Sequence, residues 1–232
     1  MEIASGTQSP TAGMTTHPSK AAFITFEGGE GTGKSTQARL LADRLAASGI
    51  ESIVTREPGG SPFAEEIRGL LLGGTLPERA PISEALLFVA ARADHVATTI
   101  SPALRAGRWV ICDRFSDSTL VYQGLAGKIP PATLIDLDRL VMGGLKPHLT
   151  LILDLPPETG LARATARRTV GSGADPFEGR ELSYHMALRE GFLSIARSEP
   201  QRCTVVDASG SPEEVAARVW AVVEQRLITR TG

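Results

Sequence analysis

A chain of 232 residues that is 42% hydrophobic is long enough for one full core, so a single domain with at most a small mobile insert is expected. A formal net charge of −2 argues against a basic field for a nucleic-acid polymer, and no apolar run reaches the roughly 18 residues that span a membrane. Cys112 and Cys203 lie in separate apolar runs and form no disulfide framework, which fits a reducing cytoplasm.

Residues 1–20 are polar, rich in Ser, Thr, Gly and Pro, and contain no arginine. They read as a disordered tail, not a targeting peptide, and the domain is expected to occupy 21–230. Residues 22–26 then read as a buried strand. The stretch Gly28-Gly29-Glu30-Gly31-Thr32-Gly33-Lys34-Ser35 fits G-x-x-x-x-G-K-[ST], the phosphate-binding loop, and Thr36 follows it. Its glycines let backbone N–H groups turn inward toward phosphate oxygens, Lys34 supplies a point charge, and Ser35 offers a hydroxyl to Mg²⁺. A helix over 37–48, with Leu40, Leu41 and Leu45 on one face, completes the strand–loop–helix context the motif needs.

Further along, 51–55 reads as a second strand, closed by Arg56-Glu57-Pro58-Gly59-Gly60. Helices follow over 62–72 and, opened by Pro81, over 81–105. Residues 109–112 form a third strand ending in Asp113-Arg114. A short helix is expected over 115–123, a glycine-flanked loop over 124–127, and another helix over 131–142. The fourth strand, 149–153, ends in Asp154. A helix over 158–168, a flexible loop over 169–177 and a helix over 181–198 come next. The fifth strand, 203–206, ends in Asp207, and an amphipathic helix over 212–228 closes the chain. This alternation predicts a parallel sheet with helices on both faces. Ligands then bind beyond the carboxyl ends of the strands, where Glu27, Arg56, Asp113, Arg114, Asp154 and Asp207 gather.

Taken together, these motifs resemble bacterial thymidylate kinases from about Phe23 to Val222. The resemblance is carried by the phosphate loop, Thr55-Arg56-Glu57-Pro58-Gly59-Gly60, Leu87-Phe88-x-Ala90-Ala91-Arg92, Asp113-Arg114-Phe115, Tyr122-Gln123-Gly124 and Leu153-Asp154-x-x-x-Glu158-x-Gly160-Leu161. It implies a P-loop nucleoside monophosphate kinase fold, strand order 2-3-1-4-5, and a homodimer. The implied reaction is transfer of the ATP γ-phosphate to dTMP with Mg²⁺, giving dTDP and ADP.

Such chemistry needs positioning and charge compensation between two anionic substrates. Lys34 suits the donor side. Arg56 and Arg114 suit the acceptor phosphate, because a guanidinium fork matches it bidentately. Asp113 and Ser35 suit the metal. Phe88 and Arg92, four apart on a helix, share a face. Alone they read as a core ring and a solvated charge. The resemblance makes the ring a stacking partner for the pyrimidine and the guanidinium a donor to its 4-oxygen. It also places Glu30 near the acceptor sugar and the metal, Tyr122 against the sugar 2′ position, and Gln123 near the base. A lid is expected at about 163–178. In the family form whose phosphate loop lacks an arginine, as at Gly31 here, the lid supplies catalytic arginine. Arg163, Arg167 and Arg168 are its candidates, although Asp175-Pro176-Phe177-Glu178 has proline where many relatives carry arginine. Two other readings stay open: a kinase for another (deoxy)nucleoside monophosphate, and a non-catalytic P-loop switch.

Overall fold

A computed structural model describes residues 21–73, 77–166 and 179–229. The expected disordered tail over 1–20 lies outside them. Five parallel strands form one sheet: β1 (Phe23–Glu27), β2 (Ser52–Arg56), β3 (Trp109–Asp113), β4 (Leu149–Asp154) and β5 (Cys203–Asp207). Their order is β2-β3-β1-β4-β5, as the resemblance implied, with the first strand central. Position follows from sequence. Every residue of β1 is buried, and β3 and β4 are near-continuous apolar runs, as strands covered on both faces must be. The edge strands β2 and β5 are partly exposed.

The helices are α1 (Lys34–Ala47), α2 (Pro62–Leu72), α3 (Pro81–His95), α4 (Ser101–Arg105), α5 (Ser116–Thr119), α6 (Pro131–Met142), α7 (Pro157–Ala166), α8 (Leu182–Ser198) and α9 (Pro212–Val223). Alternation along β1 assigns its two faces. Ile24 and Phe26 pack with Leu41 and Leu45 of α1 and Val219 of α9. Phe23 packs on the other side with Phe115, Ile100 and Met142, its ring edge-on to Phe115 at 4.9 Å.

Several boundaries differ from the sequence expectation. Each strand except β1 and β2 keeps its start and runs one residue further, while those two shift by one. The ladder pairs backbones, and so Arg56 pairs with Asp113 and Asp154 with Asp207 although their side chains are polar. The expected helix over 81–105 is continuous but widens to a π-turn at Val96–Ile100. Pro102 has no N–H to return to the preceding turn, and the wider turn accommodates that gap. Likewise the expected loop over 124–127 is mostly helical, because α5 continues as a π-turn over Leu120–Ala126. Helix α1 starts three residues early, at Lys34, with Gly33 in the left-handed region as its cap.

Register brings Glu27, Arg56, Asp113, Asp154 and Asp207 to one edge of the sheet. The phosphate loop is seated there by two close approaches. A Cβ on Gly28 would stand 2.5 Å from the Leu153 carbonyl oxygen, and one on Gly31 would stand 1.8 Å from that of Gly160. Only glycine fits at either place, and both have positive φ. Replacing Phe23 by alanine removes a fully buried ring shared by the central strand and Phe115. A loss of about 3–5 kcal/mol in unfolding free energy is expected, read from urea denaturation.

Candidate active site

The loop curls so that Lys34 Nζ donates to the carbonyls of Gly28 (3.1 Å) and Gly29 (2.7 Å) and to Thr32 Oγ1 (3.4 Å). Burial, then the neighbouring Arg114 charge, lowers the Lys34 pKa to about 8, against the pull of Glu30, Asp113 and Glu27. The Ser35 hydroxyl donates to Asp113 Oδ2 in a very short contact. A hydroxyl and a carboxylate side by side at the loop are hard oxygen donors of the kind Mg²⁺ takes, so the residues present fit that ion.

Arg114 is the hinge of the site. It follows β3 with φ of 68°, a left-handed conformation costly for a side-chain-bearing residue. Its backbone N–H donates to the Phe26 carbonyl at 2.9 Å. Its Nη2 donates to Glu30 Oε1 at 2.7 Å, and Nη1 to the Gly28 carbonyl at 3.2 Å and Ser118 Oγ at 3.4 Å. Tyr122 donates its hydroxyl to the same Glu30 oxygen at 2.6 Å, and its ring lies 5.1 Å from the Arg114 guanidinium. Burial alone would push the Glu30 carboxyl up, but Arg114 and Lys34 outweigh it and hold its pKa at about 2.

Beside the loop opens a cleft of about 550 Å³. Glu30, Arg114 and Tyr122 line it, and so do Phe88, Arg92, Thr119 and Gln123. Thus the structure gathers Glu30, Phe88, Arg92, Arg114, Tyr122 and Gln123 on one cavity. Gln123 Nε2 also donates to Glu84 Oε1 at 3.2 Å. Arg56 does not line it: its side chain is 54% exposed and its guanidinium is paired with Glu65 at 3.1 Å.

Arg163 departs from the expectation. Its Nη1 and Nη2 donate to the carbonyls of Ala208 (3.1 Å) and Gly210 (3.2 Å), beyond β5, so it serves there as a tie between α7 and the β5–α9 connection. Gly160, one turn earlier on α7, packs on the phosphate loop at Gly31, and Arg163 reaches past it to the β5–α9 connection. Arg167, Arg168 and the 175–178 segment lie outside the described residues.

Sequence reasoning missed three participants, Arg68, Thr119 and Asp138, and gave a fourth, Glu27, a place at the site but no role. Glu27 is fully buried and accepts from Phe115 N (2.8 Å), Ser118 N (3.3 Å) and Ser118 Oγ (2.6 Å), fixing the turn that carries Arg114. Arg68 lines the cleft and donates to the Pro58 carbonyl at 2.7 Å. Asp138 and Thr119 both hold Arg92. Only Glu27 carried a signal, an acid closing an otherwise apolar central strand.

Burial, then Asp117, raises the Glu27 pKa from 4.5 to about 8. Its folded value exceeds its unfolded one, so its contribution is fully present below about pH 4.5 and is lost as pH rises toward 8. Glu27→Gln should lack this titration. The melting temperature of wild type minus that of Glu27→Gln is expected to fall steadily from pH 5 to pH 8, and a difference that stays flat would contradict the shift.

The comparisons with known proteins agree with this geometry. A family model described as thymidylate kinase matches residues 26–219. A thymidylate kinase of Bradyrhizobium diazoefficiens is 56% identical over 207 residues, covering 89% of this chain and 90% of its own. One from Caulobacter vibrioides is 54% identical, covering 88% of this chain and 97% of its own. The crystal structure of thymidylate kinase from Ehrlichia chaffeensis superposes with a TM-score of 0.70 at 33% identity, covering 88% of this chain and 98% of that one. By sequence along nearly its whole domain and by fold, this chain belongs to the thymidylate kinase family.

Proposed function

We propose that this chain phosphorylates dTMP to dTDP at the expense of ATP, a step toward dTTP. One observation carries the reading. A single cleft is lined by an aromatic ring and a guanidinium, Phe88 and Arg92, together with Arg114 and with Glu30 of the phosphate loop. That is a place for a pyrimidine whose phosphate points at a second nucleotide's phosphates.

Each residue then has a task. Loop N–H groups and Lys34 hold the ATP phosphates. Ser35 and Asp113 would hold Mg²⁺, which when bound would supply charge neutralisation for the phosphates. Arg114 meets the acceptor phosphate, with Arg56 swinging in from the cleft rim. Phe88 stacks on the thymine, Arg92 donates to its 4-oxygen, and Gln123 lies beside the base. Tyr122 closes the space a ribose 2′-hydroxyl would need. Arg167 and Arg168 are the lid arginines proposed to meet the transferring group.

A homodimer fits the surface. Helices α2, α3 and α6 expose Phe63, Leu70, Ile82, Leu86, Ile135 and Leu140, large apolar side chains that a partner copy would cover. No helix among the described residues is long and apolar enough to cross a membrane, in keeping with a cytoplasmic enzyme whose partners are nucleotides.

ADP release with ATP-Mg²⁺ and each of dTMP, dUMP, dCMP, dAMP and dGMP tests the reading. Highest kcat/KM is expected with dTMP. Preference for another acceptor would make the chain a different monophosphate kinase, and no acceptor-dependent release would make it a nucleotide switch. Lys34→Ala is expected to remain folded by circular dichroism and to lose on the order of 10²–10³ in kcat, as removing a charge-stabilising donor does. Arg92→Ala should lose roughly ten- to a hundredfold in kcat/KM for dTMP, the worth of one charge-assisted bond, and much less for dCMP, whose 4-amino group is itself a donor. Phe88→Ala should weaken both pyrimidines together, since stacking does not read position 4.

A further inference from the structure

A guanidinium that reads one oxygen must be fixed in angle as well as in place, because a hydrogen bond weakens steeply off its axis. Arg92 is fixed on every side and only 1% exposed. The Phe115 ring lies 5.2 Å beneath it. Nε donates to Glu57 Oε2 at 2.8 Å, and Nη2 lies 2.7 Å from the same oxygen while donating to Thr119 Oγ1 at 2.9 Å. Glu57 is itself braced: its Oε1 is 3.0 Å from His95 Nδ1, and His95 Nε2 is 2.7 Å from Thr55 Oγ1. These contacts engage one side of the fork. The outer nitrogen, Nη1, is held separately, by Asp138 Oδ1 at 2.8 Å.

Asp138 differs from the other holders. It stands on α6, none of whose residues lines the cleft, and its side chain is 24% exposed. Charge balance does not require it, since Glu57 already supplies a buried carboxylate to Arg92. Arg92 has five N–H groups. Nε donates to Glu57, Nη2 donates to Thr119 and lies in close ion-pair contact with the Glu57 carboxylate, and one hydrogen of Nη1 goes to Asp138. Among the described residues the second Nη1 hydrogen has no partner.

We propose that Asp138 is a positioning residue for base selection: its carboxylate, reaching in from α6, holds Nη1 so that the remaining N–H faces the 4-oxygen of the pyrimidine. Discrimination between thymine and cytosine is then set partly by a residue outside the cleft and outside every motif of the chain. The proposal rests on the base-reading role of Arg92, and its test keeps the two apart.

The test measures kcat/KM for dTMP and dCMP, and KM for ATP, in wild type, Arg92→Ala, Asp138→Ala and the double variant. Asp138→Ala is expected to raise KM for dTMP and to lower the dTMP-to-dCMP ratio of kcat/KM, each by about tenfold, the order of losing alignment in one charge-assisted bond. KM for ATP and kcat should stay within about twofold, a split that a general loss of folded enzyme would not give. In the Arg92→Ala background the further change at Asp138 should leave the ratio where it was. A ratio that falls in Arg92→Ala but not in Asp138→Ala overturns the proposal and leaves the base-reading role standing. A ratio unmoved in both overturns the two together, and an equal further fall in the double variant shows that Asp138 acts independently of Arg92 and overturns the proposal. Should Asp138→Ala fail to fold, Asp138→Glu keeps the ion pair but moves the oxygen by a methylene; it is expected to lower the ratio with an unchanged melting temperature, and an unchanged ratio overturns the proposal.

Discussion

Arg114 and Lys34 both face the place where phosphates must come, and two cations so close repel each other before any substrate arrives. The protein resolves this with one carboxylate. Glu30 accepts from Arg114 at 2.7 Å and from Tyr122 at 2.6 Å, and the attraction of Arg114 and Lys34 keeps it ionised despite its burial. Lys34 spends its donors on the loop's own carbonyls. The cations are therefore compensated by groups of the protein itself.

The second junction is Phe115, one residue beyond Arg114. Its N–H is held by Glu27 at 2.8 Å, its ring lies beneath Arg92, and the same ring packs edge-on against Phe23 of the central strand. The Arg114 guanidinium and the ring that lies beneath the Arg92 guanidinium thus stand on adjacent residues of one turn. That turn adopts a left-handed conformation at Arg114, which costs on the order of 1–3 kcal/mol, and it persists because Glu27 supplies three acceptor contacts to the residues that follow. The distance between the two halves of the acceptor site is set by this turn, and the turn is anchored in the most deeply buried strand.

Much of this was legible in the chain. Apolar runs bounded by breakers located five strands, the phosphate loop announced its own context, and the strand ends pointed to one edge of the sheet. What failed did so for physical reasons. Polarity was read as the end of a strand, but backbone pairing carries Arg56 and Asp113 into the ladder. Glycines at 124 and 127 read as a loop, yet the helix continues through the first of them as a π-turn, since a hydrogen-bonding pattern can widen where sequence periodicity suggests a stop. Arg163, a lid candidate from the sequence, donates to the Ala208 and Gly210 carbonyls, partners on another connection that no local pattern could reveal. Asp138 and Arg68 could not have been singled out, because a lone charge on an amphipathic helix has no local pattern that separates a solvated residue from one reaching a cleft.

The arginines assigned to the acceptor differ in how tightly they are held, and the difference suits their tasks. Arg92 is buried among Glu57, Thr119 and Asp138, and removing Glu57 would strand a buried charge at a cost on the order of 3–5 kcal/mol. Its guanidinium is thereby held from several directions, as the proposed selection between two bases of nearly equal shape requires. Arg56 is exposed and paired only with Glu65 among the described residues, and an exposed pair of this kind contributes about 0–1 kcal/mol. A phosphate dianion can outcompete Glu65 at that strength and draw the long side chain inward. Reading a base needs a donor that cannot move, whereas capturing a phosphate arriving from solvent needs one that can. The burial of Arg92 and the exposure of Arg56 separate those requirements.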